Sequence, residues 1–226
     1  MPSEVTWVAM ERPPVILLPG AFGQDLVYWN VWEYFLEKDG FHVYPASFPR
    51  FSLTDLTMSA RLLAEKVEEV MAIEDVDRVA LVGHSMGGLI GRHYLKFGGG
   101  GVHVTRLACL GTPHYGTWFG ATAPILRGTR QILPGSDFLT ALNDPAREHG
   151  APILNVWSPF DGVVIPSRSS LLELPGVENR GLPYAGHWGM LVSRRAYRWV
   201  REAMERDVGL LGVDDVSALG TPPARA

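Results

Sequence analysis

Three residues of this chain could carry nucleophilic chemistry together. Ser85 stands in Gly83-His84-Ser85-Met86-Gly87-Gly88, after the apolar run Val79-Ala80-Leu81-Val82 and before a helical stretch from Leu89 to Phe97. A strand–turn–helix of this kind holds a serine on a turn so tight that positive φ is expected, with Oγ projecting above a sheet edge. Gly83 and Gly87, two residues either side, keep side chains away from the neighbouring strand and helix. A serine hydroxyl is a poor nucleophile at neutral pH, and needs a base within hydrogen-bond reach and an acid to orient that base. Behind such an elbow the acid follows in the chain, then the histidine. Five of the seven histidines lie at or before position 114. Of the other two, His149 sits in the polar piece Ala146-Arg147-Glu148-His149 with no strand before it, whereas His187 lies in a Gly-flanked loop before the last helix. His187 is therefore the expected base. Asp161, shortly beyond the apolar strand Ile153–Trp157, is the expected acid; Asp137 and Asp144 fit worse, and Glu173 and Glu178 are held as substitutes.

The elements that must position these groups alternate strand and helix. Val15-Ile16-Leu17-Leu18 reads as a buried strand closed by Pro19-Gly20, and Phe41–Pro45, Val79–Val82, Arg106–Leu110 and Ile153–Trp157 read as further strands. A last strand is expected between Leu171 and Leu182, and a last helix from about Leu191 to Arg206. Tyr28, Trp32, Phe35 and Leu36 follow helical spacing and read as core, with Gly40 just past that helix. Leu56, Leu63, Val67 and Val70 form the apolar face of a longer helix whose charges read as a solvated face. The run Gly98 to Gly101 ends the serine's helix and, lacking a suitably spaced lysine, is no phosphate loop. The expected fold class is α/β: a mostly parallel open sheet with helices on both faces. Residues 1–208 would form one domain, interrupted at about 116–150 by a small cap or lid over the serine, and 209–226 a loose tail. His114 and Tyr115 leave the carboxyl end of a strand, which places them beside the crevice of such a sheet.

Composition narrows the function classes. Hydrophobic residues make up 46% and charged residues 19%, so the chain is globular. A net charge of −4 offers no general attraction for nucleic acid or an anionic membrane. No stretch is long and apolar enough to span a bilayer, and the N-terminal residues carry no basic-then-apolar leader, so a cytoplasmic location is expected. The one cysteine, Cys109, lies in an apolar run and reads as a buried small residue. No metal-ligand spacing is present, and no cofactor is expected.

These stretches resemble the bacterial lipase and esterase branch of the α/β-hydrolase family. The matching segments are Leu17-Leu18-Pro19-Gly20-Ala21-Phe22-Gly23, the Ser85 elbow, Leu110-Gly111-Thr112-Pro113-His114-Tyr115-Gly116-Thr117, Leu133-Pro134-Gly135-Ser136-Asp137-Phe138-Leu139, Ser158-Pro159-Phe160-Asp161-Gly162-Val163-Val164 and Gly186-His187. Within that family the Gly-Thr-Pro-His and Leu-Pro-Gly-Ser stretches are similar to those of small triacylglycerol lipases with short caps. The resemblance implies hydrolysis of carboxylic esters, acylglycerols among them, through an acyl-enzyme on Ser85. It implies an oxyanion hole from the backbone N–H groups of Ala21 and Met86, and a substrate pocket drawn from Phe22, His114, Tyr115 and Trp188. Such lipases usually have His-Gly in the oxyanion loop; Pro19 stands here in place of that histidine. The same machinery would serve a thioesterase or an acyltransferase. A binding protein on this scaffold would have lost one of the three catalytic residues, and all three are present.

Overall fold

The computed structural model of the chain describes residues 12–21, 27–48, 55–122, 125–146 and 150–206. In chain order these form β1 (Val15–Leu18), α1 (Val27–Lys38), β2 (Val43–Pro45), α2 (Leu56–Glu74), β3 (Val79–His84), α3 (Met86–Phe97) and α4 (Gly100–His103). Next come β4 (Val104–Leu110), α5 (Arg127–Gln131), α6 (Asp137–Leu142), β5 (Ile153–Trp157), β6 (Val177–Gly181) and α7 (Arg194–Arg206). The strands make one sheet in the order β2-β1-β3-β4-β5-β6, every pair parallel.

The near-continuous apolar runs have a direct cause: both sheet faces are covered, and alternate residues of one strand enter different cores. Ile16 and Leu18 of β1 join Leu81, Leu63, Val67, Leu89 and Ile90 under α2 and α3. Val15 and Leu17 join Val82, Trp32, Leu36, Val200 and Met204 under α1 and α7. Each such aliphatic side chain contributes about 1.5–3 kcal/mol when taken fully out of water. Asp55 starts α2 by accepting a hydrogen bond from the Thr57 amide at 3.0 Å.

The topology places the crevice. The chain leaves β1 toward β2 on one side and leaves β3 toward β4 on the other, so the strand order reverses between β1 and β3. In an open parallel sheet the loops at the carboxyl ends diverge at such a point and leave a cleft. Leu18 pairs with Gly83 there, so the chain after β1 and the turn after β3 meet at one edge.

Several sequence expectations change in detail. Of the aromatic stripe on α1, Trp32 and Leu36 are buried with Trp29, but Phe35 is 45% exposed. Gly98–Gly101 does end α3, yet Gly100 opens the single turn of α4 after Gly99 takes φ +83°. Two segments of the expected last helix separate, a 3₁₀ turn at Gly189–Val192 and then α7. Between β4 and β5 the chain makes a 3₁₀ turn at Trp118–Thr122, then α5 and α6. The expected tail at 209–226, like His149, lies outside the described residues.

Candidate active site

β3 ends at His84, and Ser85 turns the chain into α3 with φ 54° and ψ −121°. A positive φ on a non-glycine residue costs of order 1–3 kcal/mol and persists where its surroundings over-determine it. Those surroundings are backbone. A Cβ on Gly83 would lie 2.6 Å from the Gly88 amide nitrogen, and one on Gly87 would lie 2.1 Å from the Leu18 carbonyl oxygen. The Ser85 amide donates to Leu110 O at 2.9 Å and so ties the turn to β4. Gly88 has its own reason to be glycine, because a Cβ would meet Thr112 Oγ1 at 2.0 Å.

β5 delivers the acid. Beyond Trp157 the chain turns through Ser158-Pro159-Phe160, where Ser158 Oγ accepts from the Phe160 amide at 3.1 Å. Asp161 follows, with one carboxylate oxygen accepting from the amides of Val163 (2.8 Å) and Val164 (2.9 Å). Its second oxygen, Oδ2, lies 2.8 Å from His187 Nδ1. The Asp161 and His187 side chains are 0% and 3% exposed, so water competes little for this contact. Burial acts to raise the Asp161 carboxyl, but the hydrogen bond and charge of His187 and the two amides outweigh it. The carboxyl ends below its ordinary value of 3.8. An ionised Asp161 holds the proton on Nδ1 of His187, which leaves Nε2 as the acceptor.

His187 meets the serine's turn through His84. The His84 Nε2 lies 3.2 Å from the His187 carbonyl oxygen, and the two rings are 4.6 Å apart between centroids. On the opposite side, a Cβ on Gly20 would lie 2.8 Å from Ser85 Cβ and 3.4 Å from His84 Nδ1. The loop after β1, the serine turn and the His187 turn thus converge, while Gly111 approaches from β4. Gly111 has φ +57°, and a Cβ there would sit 3.2 Å from both Asp161 Oδ2 and His187 Nδ1.

Of the residues the sequence singled out, Ser85, Met86, Asp161 and His187 come to one sheet edge, and Ala21 follows Gly20 onto it. Met86 is the first residue of α3, so its N–H belongs to the helix's unpaired first turn. Trp188 is half-exposed and meets the His187 ring edge-on at 5.4 Å. Tyr115 is 37% exposed, with its amide bonded to Ser169 O at 3.0 Å. Phe22 lies outside the described residues. His114 requires a correction: it is not a pocket residue. It is 0% exposed, its Nε2 lies 3.0 Å from Asn155 Oδ1 and its Nδ1 lies 3.2 Å from the buried Arg92 guanidinium. An imidazole with both nitrogens engaged inside the protein packs a loop and cannot reach a ligand.

Sequence reasoning passed over the close approaches at Gly20, Gly88 and Gly111, and the partners of His84 and Arg92. A glycine within two residues of the end of β1 and of β4 was the available signal for Gly20 and Gly111. Cys109 is fully buried, and burial pushes its thiol up to about 12, which leaves it inert at neutral pH. Among the described residues no group of three or more His, Cys, Asp or Glu side chains could hold a metal ion, and no helix is long and apolar enough to cross a membrane.

A family model described as alpha/beta hydrolase fold matches residues 13–144, more than half of the sequence. The chain belongs to the α/β-hydrolase fold family. A triacylglycerol lipase of Pseudarthrobacter phenanthrenivorans is 34% identical over 118 residues, covering 49% of this chain and 36% of its own length. The chain spans about a third of the length of the curated relatives it matches. Among solved structures, Aspergillus fumigatus lipase B superposes with a TM-score of 0.76 at 21% identity, covering 92% of this chain and 56% of that one. The mature form of Bacillus licheniformis lipase BlEst2 gives 0.72 at 17% identity, covering 90% of this chain and 96% of that one. At these identities the superpositions establish the fold.

Proposed function

We propose that this α/β-hydrolase is a serine carboxylic-ester hydrolase that acts on acyl esters, acylglycerols among them, through an acyl-enzyme on Ser85. The observation that carries the reading is the buried 2.8 Å contact between Asp161 and His187, built beside a serine held at positive φ. In this reading His187 Nε2 takes the Ser85 hydroxyl proton as Oγ attacks the ester carbonyl. The carbonyl electron pair moves onto oxygen, and the N–H groups of Met86 and Ala21 donate to that oxyanion. As the intermediate collapses, His187 returns the proton to the departing alcohol. A water, deprotonated by His187, then attacks the acyl carbonyl, and the acid leaves as Ser85 regains its proton. Asp161 stays ionised throughout and stabilises the imidazolium that each attack creates.

The half-exposed rings of Tyr115 and Trp188 would border the acyl group; Phe160 and Tyr184, stacked at 5.5 Å and exposed, stand next to Asp161 and near the His187 turn. The cap role expected of 116–150 belongs to this reading as well. Its parts pack on α2 and α3, with Gln131 bonded to Asp55 and Phe138 stacked on His93. The test is hydrolysis of p-nitrophenyl esters from acetyl to palmitoyl by the full chain and by Ser85→Ala. The reading expects turnover that disappears in the variant, with the chain-length profile defining the acyl preference. Equal turnover in both proteins, or none on any ester, would contradict it.

A further inference from the structure

His84 has no task in the mechanism above, yet it is among the most enclosed side chains near it. It is 2% exposed, next in sequence to the nucleophile, and in ring contact with His187. A backbone carbonyl can only accept, so the 3.2 Å contact with His187 O makes Nε2 of His84 the donor and fixes its proton there. The Nδ1 edge of the ring lies toward Gly20, where a Cβ would come 3.4 Å from Nδ1 and 2.8 Å from Ser85 Cβ.

We propose that His84 is a positioning residue for the proposed ester hydrolysis: as a neutral Nε2–H donor it clamps the backbone of His187 to the serine turn and fixes the approach of the general base. The inference rests on the reading of Ser85, Asp161 and His187 as the catalytic groups. Its logic is one of contrast between two touching imidazoles. His187 has Asp161 on its Nδ1 and can become a cation. His84 has a carbonyl partner, is 2% exposed and, among the described residues, has no carboxylate in hydrogen-bond contact. The charged and titratable groups that act on it are His187 and Asp161. Burial first, and the neighbouring His187 second, push its ring down to about 3. It therefore never competes with His187 for the proton, and its donor is available throughout the cycle.

The test compares His84→Gln with His84→Asn. A Gln amide nitrogen can stand where the imidazole Nε2 stands; an Asn amide reaches only the Nδ1 position. With acetyl and butyryl p-nitrophenyl esters, His84→Asn is expected to lose about 10- to 100-fold in kcat, the scale of an ångström-sized misplacement of a reacting group. KM should move less than about threefold, and His84→Gln should recover most of kcat. Equal losses in both variants, losses that track only their melting temperatures, or wild-type kcat in His84→Asn would overturn the proposal. Ser85→Ala run alongside separates the two claims. An active Ser85→Ala sinks the underlying reading, whereas an inactive one beside a fully active His84→Asn sinks only the clamp. If His84→Asn does not fold, ¹⁵N-histidine spectra of the unaltered chain decide. The clamp requires a proton on Nε2 of His84, and a bare Nδ1, from about pH 8 to about pH 5. A ring that titrates in that range, or carries its proton on Nδ1, overturns it.

Discussion

Single residues at this site are constrained by contacts measured in tenths of an ångström. Asp161 accepts three hydrogen bonds and is ionised below the usual carboxylate range. Asp161→Asn keeps the shape but can present its amide N–H₂ to Nδ1 and impose the wrong tautomer on His187. The expected loss in kcat is about 10⁴-fold, read by initial rates on the best ester. Gly111→Ala is a subtler change. It places a methyl 3.2 Å from both partners of the Asp161–His187 contact and 2.7 Å from Met190 Cε, at φ +57°. The variant should lose about tenfold or more in kcat and about 1 kcal/mol or more in stability, measured by kinetics and urea unfolding together. Ser85 was legible at this scale because its glycines are demanded by collisions of backbone with backbone. His114 was not. Its sequence position is that of a pocket residue, and its partners Arg92 and Asn155 come from distant stretches.

At the scale of elements, the strands were legible where they are buried on both faces, since an uninterrupted apolar run needs no partner to be recognised. β6 is the contrast: Val177–Gly181 is an edge strand of polar and half-buried residues, so only its neighbourhood could be bounded. The glycine run after α3 reads as a helix stop, but Gly101 also accepts a close approach from Gly150, a long-range fact with no local mark. The same holds for the way α6 is fastened. Arg92, fully buried on α3, donates to Leu142 O at 3.2 Å and Asn143 Oδ1 at 3.0 Å, and Lys96 donates to Leu142 O at 2.9 Å. Replacing Arg92 by Met takes that donor from Asn143 Oδ1 and from the buried His114 Nδ1, and leaves Leu142 O with Lys96 alone. Arg92→Met should cost about 2–4 kcal/mol by chemical denaturation, with amide exchange accelerating first around 139–144. Exchange that accelerates uniformly would show that α6 is held by its apolar contacts, Leu139 and Leu142, and not by Arg92.

The whole molecule carries a pH signature set by the same residues. The His84 ring takes up a proton near 6.5 when unfolded and only near 3 when folded. Below the unfolded value the unfolded chain therefore binds one proton more than the folded protein, and stability falls as pH drops from about 6.5 toward 3. Asp161 adds a separate window. Its folded carboxyl is lowered, so its contribution is present above 3.8 and is lost as pH falls through the lower folded value. Thermal unfolding from pH 8 to 3 should show the decline setting in near 6.5, where the His93 ring, also lowered by burial, adds to it, and His84→Gln should make that upper part shallower. A His84→Gln protein with the same acid profile as the parent would contradict the assignment. The two-sided core was readable without coordinates, because a strand buried on both faces is apolar throughout; the strand order was not, because it is set by which strands pair. The depth at which His84 and Arg92 lie was not, because burial of a polar group depends on what folds over it.

In the proposed mechanism Ser85 is the nucleophile and His187, held by Asp161, activates it. The most direct measurement is mass spectrometry of the intact chain and its peptides after brief exposure to a fluorophosphonate. One adduct is expected, on the peptide containing Ser85, absent in Ser85→Ala and formed far more slowly in His187→Ala. Modification of a different residue, or labelling of Ser85 at an unchanged rate when His187 is removed, would contradict it.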